Sequence, residues 1–379
     1  MKYFLIAGEA SGDLHGGNLI KALKKEDPEA EFVAWGGELM EQAGATILKH
    51  YKELAFMGFL VVIQNLRTIL GNEKRCKSQI MDFNPDAIIF IDYPGFNLRI
   101  AKWAKAQNFK TLYYISPKVW AWKQSRAWKI KKTIDKMFVI FPFEVPFYKN
   151  YDYDVDFIGH PLMDAIEQFQ SKGQTFETFT QENNLTQQPI IAMLPGSRND
   201  EISHMLPIML ETATQFPDYQ FVIAGAPSQE VSFYQEVAKT KNLKIVFGKT
   251  YELLNHSTAG LITSGTATLE AALFGVPQVV CYKGNAISYV VAKQLIKVKY
   301  ISLVNLVLDA EVVQELIQGD LTTEKISAEL KLILHNPAHL NKMQNDYEAL
   351  RRALGHAGAS ERTAKLMLNY LNQASETVK

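Results

Sequence analysis

The chain is short of cysteine, of net charge and of long apolar runs, and each shortage removes a class of protein. Cys76 and Cys281 are its only cysteines, too few for a disulfide scaffold and in keeping with reduced thiols in the cytoplasm. Forty Lys/Arg balance forty Asp/Glu, so global charge names no nucleic-acid partner. No run approaches the roughly 18–20 apolar residues that span a bilayer. The opening MKYFLIAGEASGD has too short an apolar stretch for a signal-peptide core. The expected location is therefore cytoplasmic, with room for peripheral membrane contact. Repeats and low-complexity tracts are lacking. His335 and His339 lie four apart, but Pro337 separates them and no third ligand is evident, so they read as surface residues, not a metal site.

What is present is an α/β pattern in two halves. At 379 residues the chain is long enough for two domains of roughly 150–190 residues. Apolar runs at Tyr3–Ala7, Glu31–Trp35, Pro85–Ile91, Lys110–Ile115, Met137–Phe141 and Val155–Ile158 read as buried strands of a first sheet. Those at Ile190–Leu194, Tyr219–Ala224, Lys244–Phe247, Ala259–Ile262 and Gln278–Tyr282 read as a second. Helical patterns between them give the βαβα alternation of doubly wound domains. The polar segment 166–188 reads as a linker with a short helix, Tyr289–Ile296 as an amphipathic helix, and the chain beyond Leu321 as helical.

The stretch Leu261–Pro277, LITSGTATLEAALFGVP, runs from strand through Ser264-Gly265-Thr266 into a helix. Ser264 or Thr266 can cap that helix, and its N-terminal amides suit a phosphate. Glu270, four residues past Thr266, falls on the same helical face and can take ribose hydroxyls. Pro195-Gly196-Ser197-Arg198 repeats the strand–glycine–helix arrangement and adds a guanidinium fork for a diphosphate. In the first half, Gly8 to Gly16 crowds Glu9, Ser11, Gly12, Asp13 and His15 after the first strand, with a helix expected from about Gly17. The spacing is not G-x-G-x-x-G, so a nicotinamide-dinucleotide fingerprint is absent. Asp92 follows another strand, where a parallel sheet places its chemistry, although an Asx turn explains it as well. Asn305 can hydrogen-bond a base or a ribose. Asp152 and Asp154 are a weak candidate for a metal against a nucleotide diphosphate.

Two segments raise the question of lipid. LAFMGFLVVI at Leu54–Ile63 has no polar side chain, and Leu66, Ile69 and Leu70 continue it at helical spacing. It is either a core helix or an apolar patch on a bilayer. Lys118–Lys136 holds seven Lys/Arg with Trp120, Trp122 and Trp128. That suits a headgroup interface, single-stranded nucleic acid, or a solvated helix with its tryptophans inward.

Taken in order, the motifs resemble the lipid-A-disaccharide synthase family over essentially the whole chain. They are GEASGD (Gly8–Asp13), LAFMGF (Leu54–Phe59), IDYPGFN (Ile91–Asn97), SPKVWAW (Ser116–Trp122), FPFE (Phe141–Glu144), FIGHP (Phe157–Pro161), LPGSR (Leu194–Arg198), SGTATLE (Ser264–Glu270) and YISLVNL (Tyr300–Leu306). The resemblance implies two Rossmann-like domains facing a cleft (GT-B type) with a helical C-terminus. Residues 1–165 would bind acceptor and lipid, 189–355 the UDP-sugar, and a helix at 356–379 would pack back on the first domain. It implies an inverting, metal-independent glycosyltransferase without a cofactor. Its substrates would be UDP-2,3-diacylglucosamine and 2,3-diacylglucosamine 1-phosphate, and its products a β-1,6-linked disaccharide phosphate and UDP. Asp92 then matches the general base and Arg198 the diphosphate holder. Gly196, Ser197, Ser264, Gly265, Thr266, Glu270 and Asn305 fall on the UDP side, and Glu9, Ser11, Gly12 and His15 on the acceptor side. Phe59, Leu60, Ile63, Leu66, Trp120 and Trp122 would meet the cytoplasmic face of the inner membrane, the protein being a monomer or homodimer. Two departures stand out. Gly95 replaces a second aspartate, and Val304 a proline, which is expected to loosen the backbone before Asn305. The rivals are a UDP-N-acetylglucosamine 2-epimerase-like enzyme, a metal-dependent transferase using Asp152 and Asp154, and a non-catalytic nucleic-acid-binding protein.

Overall fold

A computed structural model describes residues 1–54, 66–170, 173–285 and 298–376. The chain divides into two units, Met1–Asp164 with Gly355–Lys379, and Ala165–Leu354. Among the described residues the first unit holds β1 (Lys2–Ala7), β2 (Glu31–Gly36), β3 (Thr46–His50), β4 (Ala87–Ile91), β5 (Lys110–Tyr114), β6 (Lys136–Val139) and β7 (Asp156–Phe157). They form one parallel sheet in the order β3-β2-β1-β4-β5-β6-β7. Helices cover both faces, so strands such as β4, AIIFI, are buried along their whole length. Phe4, Ile6, Phe90 and Ile100 build the core, and Trp35 stacks on Phe96 at 5.4 Å.

The helix Ala359–Glu376 lies along the helix Ala10–Glu26 and completes this unit. Its register is set by Arg362, whose guanidinium donates to the carbonyls of Ile158, Ala357 and His356 at 2.9, 2.7 and 2.6 Å. Three filled carbonyls outweigh the exposed Lys25–Glu361 pair, which adds little.

The second unit holds β8 (Ile190–Leu194), β9 (Gln220–Gly225), β10 (Ile245–Phe247), β11 (Ser257–Thr263), β12 (Gln278–Tyr282) and β13 (Glu315–Ile317), parallel and ordered β10-β9-β8-β11-β12-β13. Segment 166–188, expected as a linker, belongs to this unit. Its helix Phe176–Glu182 buries Phe179 in the core with Ile190, Leu253 and Leu254. Polar composition hid two apolar anchors, Phe176 and Phe179, on one face. Strands β3 and β13 are absent from the sequence reading because each is a short edge strand, half-buried for most of its length.

Both sheets reverse their winding once, between β1 and β4 and between β8 and β11. Helices leave such a pair toward opposite faces, which opens a crevice at the carboxyl ends of the two strands. In register these ends are Ala7 beside Ile91 and Leu194 beside Ile262.

Candidate active site

In the first unit the crevice is bounded by the turn after Ala7 and the turn after Ile91. The helix after β1 starts at Ala10, not near Gly17, so Ser11, Gly12 and His15 sit in its first turns. Glu9 is its N-cap residue, exposed, with no side-chain cap. Gly12 is there for packing, its missing Cβ leaving 3.1 Å to Ala7 Cβ. Asp13 serves structure: its buried carboxylate accepts the amides of Gly37, Leu39 and Met40 at 2.7, 3.0 and 3.1 Å.

Asp92 is half-buried beside this loop. Burial, and then the charge of Glu9, push its carboxyl up to about 6, against the pull of Lys118 and the Tyr93 amide. A carboxylate poised there is ionised at neutral pH yet basic enough to take a proton. The turn that carries it is strained. Asp92 and Tyr93 have φ of 41° and 48°, a left-handed pair without glycine, costing about 1–2 kcal/mol each. Pro94 opens the next helix and disfavours the right-handed region for Tyr93. The Tyr93 ring covers Gly8 so closely that a Cβ there would stand 2.3 Å from it, and its hydroxyl donates to Leu54 O at 3.1 Å. His15 and His160 are both held neutral. Burial brings them down to about 4 and about 3, with His15 and Lys118 adding to the effect on His160.

In the second unit the crevice has two glycine turns. Gly265, φ 144°, caps the helix Thr266–Leu273, in a conformation that any side chain would strain. The cap is neither Ser264 nor Thr266. The Ser264 hydroxyl donates to Ile301 O at 2.9 Å and that of Thr268 to Gly265 O at 2.8 Å. Thr266 stays exposed, and the buried Thr263 Oγ1 has no partner. The first-turn amides have no side-chain cap, which leaves donors for an anion. Glu270 accepts from the Tyr251 hydroxyl at 3.1 Å, and burial raises its carboxyl.

The turn Gly196–Arg198 is already filled. Glu201 Oε2 accepts the amides of Ser197 and Arg198 at 3.1 and 3.4 Å, and Oε1 takes Arg198 Nη1 at 3.2 Å. The Arg198 side chain is 72% exposed. Such a pair is worth below about 1 kcal/mol, so a diphosphate can take the guanidinium over.

Asn305 corrects the sequence reading. Its side chain is fully buried and consumed: Oδ1 accepts the amides of Val312 and Val313 at 2.8 and 3.0 Å, and Nδ2 donates to Val313 O and Glu315 Oε1 at 2.9 and 3.0 Å. Val304 does not loosen this backbone, because Ser302 Oγ caps the helix at the Asn305 amide, 3.3 Å away. Gly95 is exposed with no side chain near it.

Trp120 is also corrected. It is 8% exposed and packs edge-on against Phe143 at 4.9 Å, so it faces the core and not a bilayer. Trp122 and Trp128 are 40% and 47% exposed. Lys123 and Arg126 lie over the Trp122 ring and Lys131 over that of Trp128. Phe59, Leu60 and Ile63 lie outside the described residues, as do the side chain of Leu66 and the expected helix at Tyr289–Ile296. Among the described residues no helix is long and apolar enough to cross a membrane. Asp152 and Asp154 precede β7, at the amino edge of the sheet, opposite the crevice, and their nearest cations are Lys131 and Lys149.

Four residues that frame these crevices were missed: Glu201, Tyr251, Asn97 and Tyr113. Only Glu201 had a local signal, a carboxylate three residues into a helix after its cap. Tyr251 and Tyr113 act on groups about twenty residues away, and Asn97 on carbonyls of the preceding turn and of β1.

The fold is that of the sugar-nucleotide enzymes built from two Rossmann-like units. UDP-GlcNAc 2-epimerase from Neisseria meningitidis, solved with UDP-GlcNAc, aligns with a TM-score of 0.68 over 97% of this chain and 100% of its own, at 14% identity. The calicheamicin glycosyltransferase CalG4 aligns at 0.59 over 98% of each, also at 14%. At that identity the likeness concerns the fold alone. Sequence is more specific. Residues 3–369 match the family described as lipid-A-disaccharide synthetase. The lipid-A-disaccharide synthases of Syntrophus aciditrophicus and Geobacter metallireducens are each 38% identical over 98% of both chains. That of Psychromonas ingrahamii is 39% identical over 97% of both. The chain belongs to the lipid-A-disaccharide synthase family, glycosyltransferases that work on a sugar nucleotide and a glycosyl phosphate in lipid A synthesis.

Proposed function

We propose that the chain condenses UDP-2,3-diacylglucosamine with 2,3-diacylglucosamine 1-phosphate, giving the β-1,6-linked disaccharide 1-phosphate and UDP with inversion. The observation that carries this is the family match over residues 3–369, and Asp92, a half-buried carboxylate at a crevice of a doubly wound sheet, is available as the base. The acceptor 6-hydroxyl oxygen bonds to the anomeric carbon while its proton passes to Asp92. The bond from that carbon to the diphosphate oxygen breaks, and its electron pair leaves with UDP. The arriving charge meets the Arg198 guanidinium and the amides at the start of Thr266–Leu273, so the reaction calls for no metal or cofactor. Glu270 takes ribose hydroxyls. Incubation with both substrates in excess chelator, followed by mass spectrometry, tests this. The disaccharide phosphate is the expected product. Epimerised donor without condensation, or activity only with added metal, would refute it.

Arg198→Ala is expected to lower kcat/KM about 100-fold and to weaken UDP binding by calorimetry. Unchanged UDP affinity would remove Arg198 from the diphosphate.

Acylated substrates call for a membrane surface, and the cytoplasmic face of the inner membrane is the proposed location. Support comes from Trp122 and Trp128, exposed and overlaid by cations. The double variant Trp122→Ala, Trp128→Ala is expected to bind anionic vesicles several-fold more weakly at unchanged Tm. Equal vesicle binding would exclude this face.

A further inference from the structure

The main-chain carbonyl of Asp92 is held from two sides by side chains that take no part in the chemistry proposed above. Tyr113, on β5, donates its hydroxyl to Asp92 O at 2.5 Å, and Asn97 Nδ2 donates to the same oxygen at 2.8 Å. Both side chains are fully buried. The Asp92 amide is held as well, donating to Tyr114 O at 3.2 Å. Both peptide planes beside Asp92 are thereby fixed, and the carboxylate keeps only its own side-chain torsions.

Asn97 does more. Its amide nitrogen also reaches Ile6 O and Ile91 O, each at 3.3 Å. Those carbonyls end the two strands that border the crevice, so one side chain ties the turn to both. Its Oδ1, however, is buried and has no partner among the described residues. An orphaned buried acceptor costs stability. The turn itself, two consecutive left-handed residues without glycine, would relax if its carbonyl were released.

We infer that Tyr113 and Asn97 are positioning residues that aim the Asp92 carboxylate by gripping its main-chain carbonyl. The inference rests on the reading of Asp92 as the base. Removing the Tyr113 hydroxyl lets the turn drift, and misplacement of a reacting group by about 1 Å costs on the order of 100-fold in rate.

The test is Tyr113→Phe, with Asn97→Leu as a second variant that removes the grip and the orphaned oxygen together. Each is measured alone and in an Asp92→Asn background. For Tyr113→Phe, kcat is expected to fall about 10- to 100-fold, with KM for both substrates and UDP affinity within about twofold. The acid limb of its kcat–pH profile should move. In the Asp92→Asn background neither change should cost anything further, because the path through the carboxylate is already gone. If Tyr113→Phe folds poorly, Asn97→Leu carries the same measurements. A kcat within about twofold of the parent and an unmoved acid limb overturn the inference while leaving Asp92 as base. The same loss in both backgrounds also overturns it, since the effect then bypasses Asp92. Should Asp92→Asn alone keep its turnover, the base reading falls first and the inference with it.

Discussion

Asp92→Asn is expected to lower turnover about 100- to 10,000-fold and, at neutral pH, to make the first unit more stable. An amide cannot take the acceptor's proton, and a positioned base contributes about 100- to 10,000-fold. UDP affinity should hold, because the diphosphate contacts proposed above fall on other residues. The stability change follows from linkage. Asp92 titrates near 3.8 when exposed and near 6 in the fold, so its folded pKa is the higher. Below about pH 3 it is protonated in both states and costs nothing. Between pH 4 and 6 the unfolded chain releases the proton more readily, and above 6 the cost is constant, about 2–3 kcal/mol. Asparagine removes that cost. Thermal melts at pH 7.5 should therefore rise by several degrees in the variant and converge on the parent at about pH 3. Parental kcat should fall along a limb near pH 6. Glu144, buried and raised to about 7, titrates close by, so a limb that survives in the variant's residual activity belongs elsewhere. Near-parental turnover of Asp92→Asn would end its role as base.

Asn305→Ala is expected to damage the second unit as a whole. Four side-chain hydrogen bonds, to Val312, Val313 and Glu315, disappear together. Two amides and a carbonyl are left buried, and Glu315, which also holds the amides of Ile301 and Ser302, loses a partner. The cost is about 3–5 kcal/mol. Denaturant titration should show the midpoint of this unit lowered. UDP affinity per folded molecule should change little. A variant of parental stability that has lost UDP would return Asn305 to the ligand and overturn its structural assignment.

The two sheets were legible because parallel strands buried on both faces read as unbroken apolar runs, and the turns after them carry glycine. Asp92 follows the end of β4 directly, and Arg198 and Glu270 lie in the turn and helix that follow β8 and β11, so their places near strand ends could be read for a related reason. The structural duty of Asn305 was not, because its partners lie seven to ten residues on, in an irregular stretch and a three-residue edge strand. Tyr113 reaches from β5 to the main-chain oxygen of Asp92, and Asn97 from a helix to Ile6, Ile91 and Asp92, and no local pattern reports that. Trp120 and Trp122, two residues apart, have opposite surroundings, which composition alone cannot separate.

Because residues 355–376 finish the first unit, the order of synthesis and the order of assembly differ. The intervening 190-residue unit emerges whole from the ribosome while the helix Ala10–Glu26 still lacks its neighbour. The amino-terminal half must wait, partly uncovered, for the helix Ala359–Glu376 to arrive.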